Sequence, residues 1–470
     1  MLVVSLRGEL DQIKKKIDEI QNQADALEFR LDLMTFKNFK ELLTLRQSIS
    51  LPLILTVKAR NALPKKTWSD YLSLEPTYID FDALYLARYP HLASAIPIIS
   101  SYHDFKKTPD DLFSILSQMQ KTPAAIYKIA TYAQSSLDAL RMLIFVDQMR
   151  KKGVCLAGMC MGAKGVITRI LAPVVDSLLT YASYSFLGQT APGQLPISQL
   201  KEIYHFYTLD SKTLIYALIG DPIDQSLGHI YHNKKFTLLK HHAIYIKVPL
   251  QPQELPLFFS LIDLLPFQGM SVTMPLKDKV IPYLHAIDPK LQAICAVNTL
   301  AKTKEGWRGW NTDALGALDA IEMKRKVRGK RVLIVGGGAT ARALAFETHA
   351  RGGKVIIANR SYQKAKHLAK QVKGKGYALT KLSSLCQRGY DILMHATPVG
   401  MIPHSDHSLF HKDWLLKKSL VFDVIYNPKK TLLLRDAKDR GCVVVYGDAM
   451  YKRQAAWQTK IWVNKAFDIR

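Results

Sequence analysis

A chain of 470 residues has room for roughly three folding units, each able to bury a core without disulfide or metal staples. With 48% hydrophobic and 22% charged side chains it is not a disordered polymer. Lys and Arg number 65 against 39 Asp and Glu, and the resulting +26, taken alone, favours an acidic partner such as nucleic acid.

The charge is uneven. Residues 1–210 carry 24 basic and 20 acidic side chains, whereas residues 211–470 carry 41 and 19, so the halves read as separate modules. Five cysteines with no Cys-x-x-Cys pair argue against a zinc ribbon and a disulfide scaffold, and fit reduced thiols in a cytoplasmic protein. The opening MLVVSLRGELDQIKKK lacks the apolar segment of a secretory signal. The longest charge-free stretch, Ser177–Leu200, is interrupted by Gly, Pro, Gln and Ser, so no membrane partner is expected.

In chain order, short apolar runs begin near Leu2, Ala26, Pro52, Thr77, Ala95, Ala124, Val154 and Tyr181. Amphipathic stretches such as Asp11–Gln23, Pro109–Gln120 and Ser135–Lys152 follow most of them. Eight strands alternating with helices predict a (β/α)8 (TIM) barrel, ended by the run Ser198–Thr208. A second βα series starts at Thr213 and continues through HAIYIKVPL and GMSVTMP. A basic hinge, Lys324–Arg331, leads into RVLIVGGGATARALA, the strand, Gly-rich turn and helix of a Rossmann-type unit. KVIIANR and DILMHATP read as later strands of the same parallel sheet, and a last helix starts near Asp448. The fold class is therefore α/β throughout.

Active-site residues of such barrels collect at the C-terminal strand ends. Polar residues there include Glu28, Arg30, Lys58, Asp80, Asp82, His103 and Lys128, with Arg169 just beyond. Lys128 lies in the apolar strand AAIYKIA, where desolvation disfavours the ammonium and frees the amine as a nucleophile. His103, in SYHDFKKTP, ends the preceding strand and would lie beside that amine. A Schiff-base lysine with a proton-transferring histidine is a constellation for carbonyl chemistry.

SYHDFKKTP, YKIA, GVITR and TAPGQ together resemble type I 3-dehydroquinate dehydratase over about Leu2 to Leu195. The resemblance implies an imine between Lys128 and the ketone of 3-dehydroquinate, with His103 moving the protons. It also implies that Arg169 pairs with the substrate carboxylate, and that Glu28, Arg30, Lys58, Thr190 and Gln194 complete the substrate site. Lys58 stands where the family has an arginine and loses the bidentate option. The family's Glu-Gly-Gly glutamate falls at Ala62, and Asp82 stands where a glutamate is common.

GMSVTMPLK, AVNTL and GWNTDALG, in that order, resemble shikimate dehydrogenase from about Thr213 onward. The resemblance pairs Lys277 with Asp313 as the catalytic couple, the lysine handing a proton to the developing alkoxide. Thr273, Asn298, Tyr426 and Gln454 would contact substrate, here 3-dehydroshikimate. In GDPIDQSLGH, Ser226 remains as a carboxylate donor, while Gly228 and His229 replace the family's second serine and the following proline.

Gly336, Gly338 and Ala341 form G-x-G-x-x-A at a strand-to-helix turn, with Ala339 where the family more often has a further glycine. The next strand ends in Asn359, Arg360 and Ser361, with Lys364 one turn on; a basic cluster in place of an acidic residue favours the 2′-phosphate of NADP. Thr397, Met401 and Gly447 are assigned to the nicotinamide side, and His395 replaces the family's asparagine.

The expected divisions are 1–209 for the dehydratase-like barrel, 210–322 for a substrate-binding domain, 323–447 for an NADP domain and 448–470 for a helix returning to the substrate domain. The expectation is a cytoplasmic bifunctional enzyme that dehydrates 3-dehydroquinate and reduces the product with NADPH, without a metal or nucleic acid. The alternatives are a metabolite-sensing regulator built from the same modules and a quinate dehydrogenase-like second module.

Overall fold

The computed structural model describes residues 1–56, 65–89, 96–185, 188–287 and 289–464, without the side chains of 65–68 and 289–290. Lys58 and the Ala62 position lie outside the described residues, as does Ala95, whereas the strand of the run expected to begin there is described. Two compact units emerge, one of Met1–Leu218 with Pro222–Phe267, the other of Ile219–Asp221 with Gln268–Arg470.

In the first unit, eight parallel strands form a barrel: β1 (Leu2–Glu9), β2 (Ala26–Thr35), β3 (Leu53–Thr56), β4 (Tyr78–Asp82), β5 (Ile98–His103), β6 (Ile126–Tyr132), β7 (Leu156–Met161) and β8 (Thr180–Ser183). Each strand from β1 to β6 pairs with the next, and β8 pairs with β1. The β7–β8 seam is bridged by the Leu178 N–H donating to the Leu156 carbonyl at 3.1 Å. Helices alternate with the strands. The helix Ser136–Lys151 starts on a capping box in which Ser135 and Asp138 each bond the other's backbone N–H. The stretch Asp11–Gln23 is not one helix but two, Leu10–Lys14 and Ile17–Gln21, broken at Lys15–Lys16. Leu10, Ile13, Ile17 and Ile20 are nevertheless all buried, which is why the pattern reads as continuous. The run Ser198–Thr208 contains the helix Ile197–Glu202 and a 3-10 turn. Beyond it in this unit come β9 (Leu214–Gly220, apart from its end) and β10 (Ala243–Pro249).

In the second unit, β11 (Phe267–Val272) and β13 (Thr299–Lys302) pair antiparallel, as do β13 and β14 (Trp307–Trp310), while the short β12 (Ala286–Ile287) runs parallel to β14. The βα reading of this region did not anticipate that hairpin. A second sheet is wholly parallel, in the order β17 (Lys375–Ala378), β16 (Lys354–Asn359), β15 (Arg331–Val335), β18 (Ile392–His395), β19 (Leu420–Asp423), β20 (Val443–Val445). This is the doubly wound order with its switch point between β15 and β18. Strand alternation serves both faces: Val332 and Ile334 enter one apolar cluster, Leu333 and Val335 the other. The basic stretch Lys324–Arg331 is anchored, not a free hinge. Val327 is buried, and Arg325 donates to the Asp391 and Lys418 carbonyls at 3.0 and 2.6 Å.

The helices Thr312–Glu322 and Gly447–Asn464 pack closely because Gly316 has no side chain: a Cβ there would meet the Gln454 amide nitrogen at 2.5 Å. Gly316→Val is expected to destabilise this unit by about 1–3 kcal/mol, the usual range for overpacking. Urea unfolding followed by the fluorescence of Trp310, Trp457 and Trp462 checks it; an unchanged midpoint would contradict the packing argument.

Candidate active sites

Alternation decides what fills the barrel. Val3, Ala26, Ile54, Ile99, Ile126, Ala157 and Leu179 belong to one apolar cluster, with Tyr78 against it. Two residues further along the same strands, on the same face, come Ser5, Glu28, Thr56, Asp80, Ser101, Lys128, Met159 and Tyr181. A polar layer thus lies directly above an apolar plug, toward the C-terminal strand ends.

Lys128 is buried and its Nζ bonds the buried carboxylate of Asp80. The amine is therefore not simply desolvated, as its apolar strand suggests, but has a counter-charge, which a buried ammonium needs. Asp80 was visible as a polar strand-end residue, but its contact with Lys128 was not. Lys128 Nζ also lies 5.0 Å from the centroid of the Tyr181 ring. Ser101 pairs in register with Lys128 and His103 with Ala130, so His103 lies one step further toward the strand ends on the same side. Its ring stacks on Phe105 at 5.9 Å.

Glu28 accepts the Ser5 and Thr56 hydroxyls at 2.5 and 2.6 Å. Arg30 grips Asp32 with two bonds of 2.8 and 2.7 Å. Burial by itself would lower the Arg30 pKa, but the bond to Asp32 and the charges of Glu28, Asp32 and Asp80 raise it. Asp82 caps the next helix by accepting from the Leu84 N–H at 2.9 Å. Gln194 holds its own loop: its Oε1 accepts from the Thr190 N–H at 2.7 Å and hydroxyl at 3.1 Å. Gly193 (φ +78°) lets that loop approach β7, since a Cβ would meet the Gly162 carbonyl oxygen at 2.4 Å.

Arg169 is fully buried, and its Nη1 donates to the Cys160 carbonyl at 2.6 Å. Burial pushes its pKa down to about 10, so it remains cationic at neutral pH. Arg169 Nε, the Tyr181 hydroxyl and the Ser183 hydroxyl are buried without a protein partner. Tyr181 and Ser183 were not anticipated as site residues; β8 read only as an apolar run. Burial, with the charges of Glu28 and Asp80, pushes the Tyr181 phenol up and keeps it neutral.

In the second unit, Asn311 caps the helix Thr312–Glu322 by accepting from the Asp313 and Ala314 N–H groups at 3.1 and 3.4 Å. That places Asp313 in the first turn, where the helix dipole favours a carboxylate. Asp313 Oδ2 is 2.5 Å from Lys277 Nζ, and Oδ1 accepts from Asn298 Nδ2 at 2.8 Å. Asn298 Nδ2 and the Thr312 hydroxyl each reach Gln454 Oε1 at 3.3 Å. Gln458 extends the network, donating to the Asn298 carbonyl at 3.1 Å and accepting from the Ser271 hydroxyl at 2.9 Å. Lys277, Asp313, Asn298 and Gln454 are thus brought together as expected. Thr312 and Gln458 are additional members; the NTD tripeptide signalled the first, and nothing in the sequence the second. Thr273 anchors the adjoining turn, its N–H donating to the Ile219 carbonyl at 3.0 Å. Tyr426 is exposed, its ring 5.9 Å from that of Tyr451.

In the first unit, Ser226 Oγ accepts from the Gly228 N–H at 3.2 Å. A Cβ on Gly228 would meet Ser226 Oγ at 3.3 Å and the Tyr245 hydroxyl at 3.4 Å. Burial, then the charge of Lys247, pushes His229 down to about 4, so it is neutral at physiological pH and offers a carboxylate no charge.

At the Gly-rich turn, a Cβ on Gly336 (φ +137°) would strike the Ala396 carbonyl oxygen at 2.5 Å, whereas one on Gly338 would meet nothing within 4 Å. Gly338 caps the helix Ala339–Ala350, so the N-terminus of that helix faces open space across a bare backbone. Ala341 is buried beneath the turn, and Asn359 packs under Gly337. This cradle fits a pyrophosphate. Arg360, Ser361 and Lys364 are exposed at the end of β16, where Ser361 caps the following helix. His395 is buried between Asp423, 3.1 Å from Nδ1, and the Thr397 hydroxyl, 2.5 Å from Nε2. Met401 is exposed, and Gly447 lies where a Cβ would meet the Ile425 carbonyl oxygen at 2.4 Å. Among the described residues, no group of three or more His, Cys, Asp or Glu could hold a metal ion, and no helix is long and apolar enough to cross a membrane.

Three family models match the chain: type I 3-dehydroquinase over residues 2–211, shikimate dehydrogenase substrate binding domain over 218–300, and shikimate/quinate 5-dehydrogenase over 319–424. The shikimate biosynthesis protein AroDE of Chlamydia pneumoniae is 33% identical over 98% of this chain and 95% of its own length. The chloroplastic bifunctional 3-dehydroquinate dehydratase/shikimate dehydrogenase of Arabidopsis thaliana is 33% identical over 78% of this chain, a match that spans 63% of the plant protein. Shikimate 5-dehydrogenase of Thermus thermophilus, solved in complex with NADP(H) and shikimate, superposes with a TM-score of 0.50 at 28% identity, covering 54% of this chain and 94% of that one. The chain belongs to the family of bifunctional 3-dehydroquinate dehydratase/shikimate dehydrogenases, enzymes of the shikimate pathway.

Proposed function

We propose that the two activities of this enzyme rest on two lysine–aspartate pairs. The observation that carries the reading is that, among the described residues, each unit holds a Lys–Asp pair largely shielded from solvent, Lys128–Asp80 and Lys277–Asp313, among polar side chains suited to a hydroxylated acid.

In the barrel, Asp80 takes the ammonium proton as Lys128 adds to the ketone of 3-dehydroquinate, and water leaves as the imine forms. His103 removes the proton beside the imine carbon and returns a proton to the departing hydroxyl. Hydrolysis of the imine then releases 3-dehydroshikimate and restores Lys128. Arg169 offers its unpaired N–H groups to the substrate carboxylate. Tyr181, Ser183, Thr190 and Gln194 face the hydroxyls, with Glu28 and Arg30 held rigidly by Thr56 and Asp32 behind them.

In the second module, NADPH when bound would supply a hydride for the ketone. Lys277 gives its proton to the developing alkoxide, and Asp313 orients Lys277 and stabilises its charge. Asn298, Thr273, Gln454 and Tyr426 position the ring. The turn Gly336–Ala341 holds the pyrophosphate, Asn359, Arg360, Ser361 and Lys364 the 2′-phosphate, and Thr397, Met401 and Gly447 the nicotinamide side. These roles follow the divisions 1–209, 210–322, 323–447 and 448–470, and the enzyme acts in the cytoplasm.

Supplied with 3-dehydroquinate and NADPH, the protein should consume NADPH and yield shikimate; no product from either this mixture or 3-dehydroshikimate with NADPH would sink the reading. Lys128→Ala should lower turnover of 3-dehydroquinate at least about 100-fold while leaving 3-dehydroshikimate reduction intact, and Asp313→Asn should do the reverse. Borohydride added with 3-dehydroshikimate should attach one ligand mass at Lys128, read by peptide mass spectrometry. Arg360→Ala should raise the KM for NADPH about tenfold or more with little change for NADH; an equal loss for both rejects the 2′-phosphate assignment.

A further inference from the structure

A hydrogen-bond chain runs along the C-terminal edge of the Rossmann sheet, and of its members the proposed function uses only Thr397. Asp423 ends β19 and His395 ends β18, paired in register, and His395 also pairs with Val335, which leads into the Gly-rich turn. Asp423 is wholly buried. Its Oδ2 accepts the Thr431 hydroxyl at 2.7 Å, and its Oδ1 accepts the Ile425 N–H at 3.1 Å. A carboxylate already accepting two donors presents an acceptor to its third neighbour, so His395 Nδ1, 3.1 Å away, carries the hydrogen. With its hydrogen on Nδ1 the ring presents Nε2 as the acceptor, and the Thr397 hydroxyl at 2.5 Å donates to it. Thr397 Oγ1 also accepts from the Val399 N–H at 3.3 Å. A hydroxyl has one hydrogen and two lone pairs. The hydrogen is committed to His395 and one lone pair to Val399, so a single lone pair is left for a ligand.

We propose that His395 is a positioning residue that fixes Thr397 as an acceptor only, and that Thr397 thereby recognises the N–H of the nicotinamide carboxamide. The proposal rests on the reading of the second module as an NADP-dependent reductase. Its place in the fold agrees: β18 borders the switch point, where doubly wound sheets bind their ligand. The imidazole spans from Asp423 to Thr397 with one nitrogen for each. Thr431 and Asp423 orient the ring from behind.

The test compares two cofactors that differ only in the donor: NADP+ and its 3-acetylpyridine analogue, in which a methyl group replaces the carboxamide NH2. Dissociation constants for the full chain are measured by isothermal titration calorimetry. The wild-type protein should bind NADP+ about tenfold more tightly, the order expected when one buried acceptor loses its donor. His395→Leu and Thr397→Val should each reduce that preference to within about twofold while retaining discrimination between NADP+ and NAD+, which a collapsed domain would lose. Thr397→Ser, which keeps the hydroxyl, should keep the preference. A full preference in Thr397→Val, or its loss in Thr397→Ser, overturns the proposal while the reductase reading stands. A wild-type protein that binds no NADP+ overturns both.

Discussion

A lysine that stays charged out of water needs an anion beside it, and both Lys128 and Lys277 meet that constraint. Lys128 lies in a barrel interior whose next layer is apolar, and Asp80 is placed on β4 to meet it. Lys277 meets Asp313, which stands in the first turn of a helix whose cap, Asn311, also ties it to the Ala296 carbonyl. In each case the backbone does the placing. Strand alternation aligns Asp80 and Lys128 across β4, β5 and β6, and a capped helix start aligns Asp313 with Asn298. The pairing that permits burial is the one on which the proposed proton transfers rest, so in that reading the structural requirement and the catalytic one coincide.

The rest of each site is secondary to these pairs and is held by short polar bonds. Glu28 and Arg30 are each engaged by protein neighbours, and Gln194 organises its own loop. The Asn298 amide joins Asp313, Thr312 and Gln454, three residues that come from two different helices. Gly316 and Gly447 make that convergence sterically feasible by letting the final helix approach backbone to backbone. Arg351 adds a second tie, bonding Glu322 and Glu347 and so linking the helix that carries Asp313 to the helix that begins at the Gly-rich turn.

Strand runs and amphipathic helices in the sequence anticipated most of the architecture, because period-two and period-3.6 patterns are local. The hairpin of β13 and β14 escaped notice because AVNTL and GWNTD read as motifs and not as alternating strands. Lys277, Asp313, Asn298 and the Gly-rich turn were legible, since each sits in a distinctive string of residues. Asp80, Tyr181, Ser183 and Gln458 were not singled out as site residues, because their roles arise only when distant strands and helices meet. The basic stretch after Glu322 shows what charge alone leaves out: it read as a basic hinge, and the structure adds that Val327 is buried and Arg325 is fastened to two carbonyls.

Arg169 Nε and the hydroxyls of Tyr181 and Ser183 are buried with no protein partner. Each such atom lowers the folding stability of the barrel by roughly 1–3 kcal/mol relative to a satisfied one. A polyhydroxylated acid that satisfies them binds the native state alone, and by thermodynamic linkage shifts the folding equilibrium toward it. On the proposed function, the resistance of the barrel to unfolding thus rises with the concentration of the ligand that satisfies these atoms.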